Sequence, residues 1–353
     1  MRADMQPRRP ACPKKIIVSH VYSTENKGDA ALMQVLLRDL RHMFPDAALT
    51  VLTLQPVAGG RKSSLKVLPS FMFYALHRYR NPLVKLAYVL YMMPATLLWA
   101  WAQRSGGRPA YLPAHLRQIA EAYAGADLIV PVGGGYLRSR KGLLNRLNIP
   151  LLLHPLLFGY ILKKPTVLYP QSVGPFCYKF EARLTAFVLK RMTLILLRED
   201  TSVEILRQLG VVRNVSRAVD SGFLLQSKST ISIRRKYRIP KETVLLGVTV
   251  RKWLDGGRQA SYEQAVAAAL DAVCEGIDAH ILFIPQVTAE YGDDDRIVSR
   301  HVQALMKNRP STTMVHGTFT ANEIKAIYGQ LDALLGTRFH SVIFTLTAYL
   351  PVV

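Results

Sequence analysis

The chain has 353 residues, half of them hydrophobic, with 46 Lys and Arg against 24 Asp and Glu, a formal net charge of +22 and a pI near 10.1. This length suits two domains with substantial cores, and the field favours anionic partners: nucleic acid, acidic lipid, or phosphorylated and carboxylated substrates. Three isolated cysteines, Cys12, Cys177 and Cys274, give neither a disulfide framework nor a zinc site, so a reducing cytoplasm is expected.

The opening MRADMQPRRPACPKK is basic and proline-rich and lacks the apolar run of a secretory signal, so residues 1–13 are expected to be a flexible basic tail. KIIVSHV, Lys15 to Val21, is a predicted strand followed by the polar loop YSTENKGDA. Leu32, Val35, Leu36, Leu40 and Met43 then recur at helical spacing, and Ala48 to Leu54 is the next strand. Residues 60–115 read as an irregular apolar and basic insertion. Within it Leu83 to Ala102, LVKLAYVLYMMPATLLWAWA, is long enough to span a membrane. Pro94 interrupts it and arginines flank both sides, so a buried helical hairpin or a helix pair lying on an anionic membrane surface is expected instead.

From Asp127 the strand-helix alternation resumes. DLIVPVGGG runs into a glycine turn, a helical stretch covers 143–162, and PTVLYPQSVGP is a further strand and loop. Glu181 to Arg191 is a predicted helix and Thr193 to Asp200 a strand. Thr201 and Glu204 carry capping-box spacing for the helix that stops at Gly210. Residues 226–242, polar and basic with a proline, read as a linker. The rhythm then restarts with VLLGVTVR, a helix over Tyr262 to Glu275, HILFIPQ, a helix after Asp293 to Asp295, a helix capped by Thr320 and Glu323, and the strand ALLGTRFH. The final YLPVV is strand-like, and the last helices of the second domain are expected to be missing.

The alternation predicts an α/β protein of two Rossmann-like domains facing a cleft, with ligands at the carboxyl ends of the parallel strands. The domains are expected at 14–225, including the insertion, and at 243–353. Five constellations could carry chemistry. STENKGDAAL brings Asn26, Gly28 and Asp29 to a helix start, where free amides bind an anion or a sugar hydroxyl and where Asp29 could equally be a simple cap. The loop lacks the glycine fingerprint of dinucleotide sites and the lysine of phosphate loops. Gly133, Gly134 and Gly135 allow backbone to approach a ligand, or merely let helix pack on sheet. Gln171 ends a strand in YPQSVGPF. Arg198, Arg251 and Arg338 each end a strand; singly such arginines are surface pairs, but together they suit a ligand bearing both carboxylate and phosphate. His340 stands two residues after Arg338, placed to donate a proton near neutral pH, although a lone histidine is more often a structural hydrogen-bonder. The remaining histidines have no metal-ligand spacing, and no metal is expected.

ENKGDAALM, DLIVPVGGGYL, PQSVGP, LLREDTS with LGV downstream, VDSGFLL, and GTRFHSVIF before YLP occur in the order in which they stand in the polysaccharide pyruvyl transferase family. The resemblance runs from about residue 15 to 353 and omits 60–115. It implies a fold like the B-type glycosyltransferases and transfer of a pyruvyl group from phosphoenolpyruvate to two hydroxyls of a sugar, forming a ketal with no cofactor. It places Arg338 and His340 at the catalytic donor site, with Phe339 where leucine is common, Arg198 in the sixth-strand motif and Asp29 on the acceptor side. Arg251 completes the donor arginines. The implied acceptor is a polysaccharide or lipid-linked sugar, and the expected setting is the cytoplasm, peripheral at the inner face of an anionic membrane. A nucleotide-sugar glycosyltransferase is the alternative, with a degenerate membrane-associated scaffold behind it. A specific nucleic-acid binder is disfavoured, since the basic residues are dispersed without an aromatic-basic module.

Overall fold

A computed structural model describes residues 12–55, 65–107, 111–142, 144–227, 230–288 and 294–353. The expected tail therefore lies almost wholly outside the described residues, as do parts of the 60–115 region. Two compact units emerge. The first comprises the chain up to Tyr22 with Leu36–Val219, and the second comprises Ser23–Val35 with Asp220–Val353.

In the first unit, β1 (Lys15–Val21), β2 (Ala48–Thr53), β3 (Lys66–Pro69) and β4 (Leu128–Pro131) form a parallel sheet of order β3-β2-β1-β4. Residues Ile16, Ile17 and Val18 of β1 are all buried, as expected for a strand covered on both faces. A second parallel sheet, β5-β6-β7-β8, contains β5 (Gly134–Leu137), β6 (Val167–Val173), β7 (Leu194–Leu197) and β8 (Val215–Arg217). A bridge between Ile129 and Thr166 joins the two sheets, so β4 and β5 run along the same neighbour, β6, with a break between them. Val132 and Gly133 occupy that break, and Gly134 and Gly135 open β5.

The helices are α1 (Lys27–Met43), α2 (Phe71–His77), α3 (Pro82–Arg104), α4 (Ala114–Ala124), α5 (Asn148–Ile161), α6 (Lys179–Leu189) and α7 (Asp200–Gln208). The first turns of α1 group with the second unit. The 60–115 region is not irregular, for it supplies the edge strand β3 and the helices α2 and α3. Nor is Leu83 to Ala102 a hairpin: α3 is a single 23-residue helix that continues through Pro94. An interior proline costs about 3 kcal/mol, which is offset by burying Tyr88, Val89, Met92, Trp99 and Ala100 on the other side of the helix. The N-cap of α7 is not Thr201 but Glu199, two residues earlier, whose carboxylate accepts from Ser202 Oγ at 2.8 Å.

The second unit holds α8 (Ile233–Tyr237), β9 (Val244–Thr249), α9 (Gly257–Gly276), β10 (Ala279–Phe283), α10 (Asp295–Leu305), β11 (Thr312–Met314), α11 (Ala321–Tyr328), β12 (Ala333–Gly336) and α12 (Phe339–Leu346). Its parallel sheet has the order β11-β10-β9-β12, and residue Val352 bridges to Leu334 beyond β12. Thr320 and Glu323 form the expected capping box on α11. Residues 226–242, read as a linker, belong to this unit: Ile233 and Ile239 are buried in its core beside Leu245, Ile324 and Phe344. Ala31 and Val35 of α1 enter the same core.

Candidate active site

In the second unit, three chain segments meet at the carboxyl ends of β9 and β12. The side chain of Thr249, closing β9, is a hub. Its Oγ1 accepts from Thr337 N at 3.1 Å and lies 3.0 Å from Ser341 Oγ, which ties the strand end to the first turn of α12. Thr337 Oγ1 donates to Thr249 O at 2.6 Å and accepts from Tyr262 OH at 3.3 Å. Burial, the largest influence on Tyr262, raises its phenol above the usual range, so it stays a neutral donor.

Arg338 is the residue before α12 and is buried, 8% exposed. Its Nε donates to both carboxylate oxygens of Asp295 at 3.1 Å, and its Nη2 also contacts Oδ1. Asp295 Oδ2 further accepts the backbone N–H groups of Gln286 and Val287, each at 3.0 Å. Burial pushes this carboxyl upward from its ordinary value, while Arg338 and the two amides oppose that push. Arg338 is one half of a buried ion pair, so it offers direction more than net charge. Asp295 was missed in the sequence, where the run Asp293 to Asp295 signalled only a helix start.

The same segment reaches the ENKGDA loop. Lys27 N donates to Gln286 O at 2.9 Å, Thr288 N donates to Glu25 O at 3.2 Å, and Asn26 bridges Val287. Asn26, not Asp29, caps α1: its Oδ1 accepts from Gly28 N at 3.0 Å and from Asp29 N at 3.4 Å. Asp29 is half-buried in the first turn. Lys27 is buried, and burial lowers its ammonium from the ordinary value, with Glu25 and Glu323 opposing.

Gly28 has a specific partner. A Cβ built there would fall 2.2 Å from His340 Nδ1 and 2.6 Å from its Cγ. The imidazole thus rests on the backbone at the start of α1, with no room for a methyl group. From another side, a Cβ on Gly222 would lie 3.2 Å from His340 Cδ2, and Gly222 N donates to Asp220 Oδ1 at 2.7 Å. Asn26, Gly28, Asp29, Arg338 and His340 are therefore drawn into one constellation. Phe339 is exposed beside the ring, 5.6 Å between centroids. Arg251, half-buried beyond β9, offers its carbonyl to Gln259 Nε2 at 3.3 Å. The glycine of VDSG was not singled out in the sequence, although a small residue after an aspartate turn was its only visible signal.

The first unit gathers the other predicted residues. Gly133 is required by close approach, since its Cβ would fall 2.2 Å from Pro170 O, and Gly134 has φ of +142°. A Cβ on Gly135 would sit 3.3 Å from Arg198 Nη2, and Arg198 Nε donates to Ser172 Oγ at 2.8 Å. Gln171 is fully buried, and among the described residues neither Nε2 nor Oε1 of its amide has a hydrogen-bond partner. Such orphaned groups typically cost about 1–3 kcal/mol. The glycine turn, Gln171 and Arg198 thus share one strand-end region, while Arg251, Arg338 and His340 share another. By contrast, His20 of the first unit is structural: it is buried, its Nε2 lies 2.8 Å from Leu152 O, and burial lowers its pKa to about 4.

Two units of parallel sheet flanked by helices are the architecture of the B-type glycosyltransferases. Solved structures share it across 96% of this chain: HepE from Anabaena in complex with UDP and glucose (12% identity, 80% of that chain, TM-score 0.53), and sucrose-phosphate synthase from Thermosynechococcus elongatus (11%, 80%, 0.57). A putative UDP-N-acetylglucosamine 2-epimerase from Listeria monocytogenes is similar at 9% identity, with 78% of that chain covered and a TM-score of 0.57. The chain belongs to the polysaccharide pyruvyl transferase family, whose model matches residues 26–353, and it is a transferase. It is 23% identical to the amylovoran biosynthesis protein AmsJ of Erwinia amylovora over 96% of this chain and 82% of that one.

Proposed function

We propose that this protein transfers the pyruvyl group of phosphoenolpyruvate to two hydroxyls of a sugar in a polysaccharide or its lipid-linked precursor. The observation that carries the reading is the clamping of His340 against Gly28 beside the Arg338–Asp295 pair, at the carboxyl ends of β9 and β12. The similarity to a protein of amylovoran biosynthesis supports a saccharide acceptor.

In this reading Arg338, oriented by Asp295, meets an anionic group of the donor, with Arg251 of the same unit as a further donor ligand. His340 delivers a proton to the methylene carbon of phosphoenolpyruvate, which becomes a methyl group. Positive charge then develops at C2, where a sugar hydroxyl adds and gives up its proton. The C2–O bond to phosphate breaks, inorganic phosphate leaves, and the neighbouring hydroxyl closes the ketal with loss of a second proton. Arginine donors stabilise the charge that accumulates on the departing phosphate. The loop of Asn26 and Asp29, in the same unit as Arg338 and His340, is assigned to the acceptor.

The test is to run the reaction in D₂O with phosphoenolpyruvate and a panel of lipid-linked and aryl glycosides. Protonation at the methylene predicts a ketal whose methyl carries one deuterium, formed with an equal amount of inorganic phosphate. Release of a nucleoside diphosphate from nucleotide sugars, without ketal formation, would establish the glycosyltransferase alternative instead.

A further inference from the structure

Helix α3 is apolar on two opposite faces. One face is tied into the first unit. Met92, Trp99 and Ala100 are buried there, Thr96 Oγ1 lies 2.8 Å from His154 Nε2, and Tyr88 OH lies 2.8 Å from His115 Nε2. The opposite face presents Leu83, Leu86, Leu90, Tyr91, Leu98 and Trp101, with Leu83 74%, Leu90 59% and Trp101 62% exposed. Their spacing keeps them in one stripe over about 27 Å of helix at 1.5 Å per residue. Lys85, the sole charge before Arg104, lies on the row of Met92 and Trp99 and not in this stripe. A stripe of this size on a water-facing helix marks an interaction surface.

The surrounding charge selects the partner. Between Asp46 and Glu121 the chain carries nine Lys and Arg and no Asp or Glu. Arg78 and Arg80 are exposed before the helix and Arg104 at its end. A second copy of this chain would bring like charges together, whereas an anionic bilayer complements them. By length and composition α3 could cross a membrane, but its inner face is part of the unit's core. We infer that the outer face of α3 docks this enzyme on an anionic membrane surface, lying in the interface with its apolar stripe buried by about 5–10 Å and its basic flanks at headgroup level. Trp101 and Tyr91 are the residue types that settle at that depth. The inference stands independently of the donor and acceptor chemistry.

The experiment is co-sedimentation of the full chain with vesicles of phosphatidylcholine, with and without one-third phosphatidylglycerol, at about 0.1 M salt. Binding is expected to be at least about tenfold stronger to the anionic vesicles. It should fall at least about tenfold in Leu90→Glu/Trp101→Glu, two exposed positions whose change leaves the unfolding transition in place. Brominated acyl chains should quench tryptophan fluorescence in the parent protein, and Trp101→Phe should remove that quenching. Absence of binding to anionic vesicles overturns the proposal. So does binding or quenching that survives these substitutions. Conversion of a dimer to a monomer by the double variant, without vesicle binding by the parent, would assign the face to a second copy and overturn it equally.

Discussion

His340 owes its position to a residue that has no side chain. With Nδ1 2.2 Å from where a methyl group would sit on Gly28, Gly28→Ala must displace the ring. Gly28 is not among the glycines with positive φ, so alanine is tolerated by the backbone itself. The expected result is a loss of about 10²-fold in kcat/KM, as for a catalytic group moved by about 1 Å, with the urea midpoint little changed. Steady-state kinetics and urea unfolding on one preparation separate the two effects. The motif ENKGDA was legible in the sequence as a loop before a helix, but its reason was not. Gly28 and His340 stand at opposite ends of the chain, and only the fold brings them together. Asp295 illustrates the same limit. Its partner is Arg338, and nothing local in the run of aspartates identifies the third as the one that turns inward.

At the level of elements, the parallel strands were readable because strands buried on both faces are short apolar runs bounded by turns. Helices apolar on both faces defeat the same method. In α3 the periodic signal cancels, and Pro94 suggested a hairpin where a continuous helix stands. What anchors that helix is polar: Thr96 meets His154 of α5 in the core, and burial lowers His154 to about 4 from 6.5. A histidine held neutral in this way stabilises the fold fully above about pH 6.5 and loses its contribution as pH falls towards 4, because only the unfolded chain takes the proton. The contribution is on the order of 3 kcal/mol, and His20, lowered to about 4 as well, acts in the same direction. Urea unfolding at about pH 7.5 and about pH 5 should show the parent weaker at the lower pH. His154→Gln should be weaker than the parent at the higher pH, with a smaller difference between the two conditions. An unchanged difference would remove His154 from the account.

For the molecule as a whole, the two-unit architecture was visible in the repeating strand-helix rhythm, but the partition of the chain was not. Residues 23–35 group with residues 220–353, contributing the fully buried Ala31 and Val35 to a core shared with Ile324 and Phe344. A linear reading cannot detect a segment whose core partners lie in the other half of the sequence. Residues 220–353 expressed alone should therefore lack part of their own core, and no cooperative urea transition is expected from them. A sharp transition would show that the early segment is dispensable. The most direct measurement for the central claim is turnover of His340→Gln with phosphoenolpyruvate and an accepted glycoside, read as ketal formed per enzyme at saturating donor. Loss of general acid assistance predicts a fall of about 10²–10⁴-fold in kcat with the unfolding transition preserved. Near-parental turnover in that variant would contradict His340 as the proton donor.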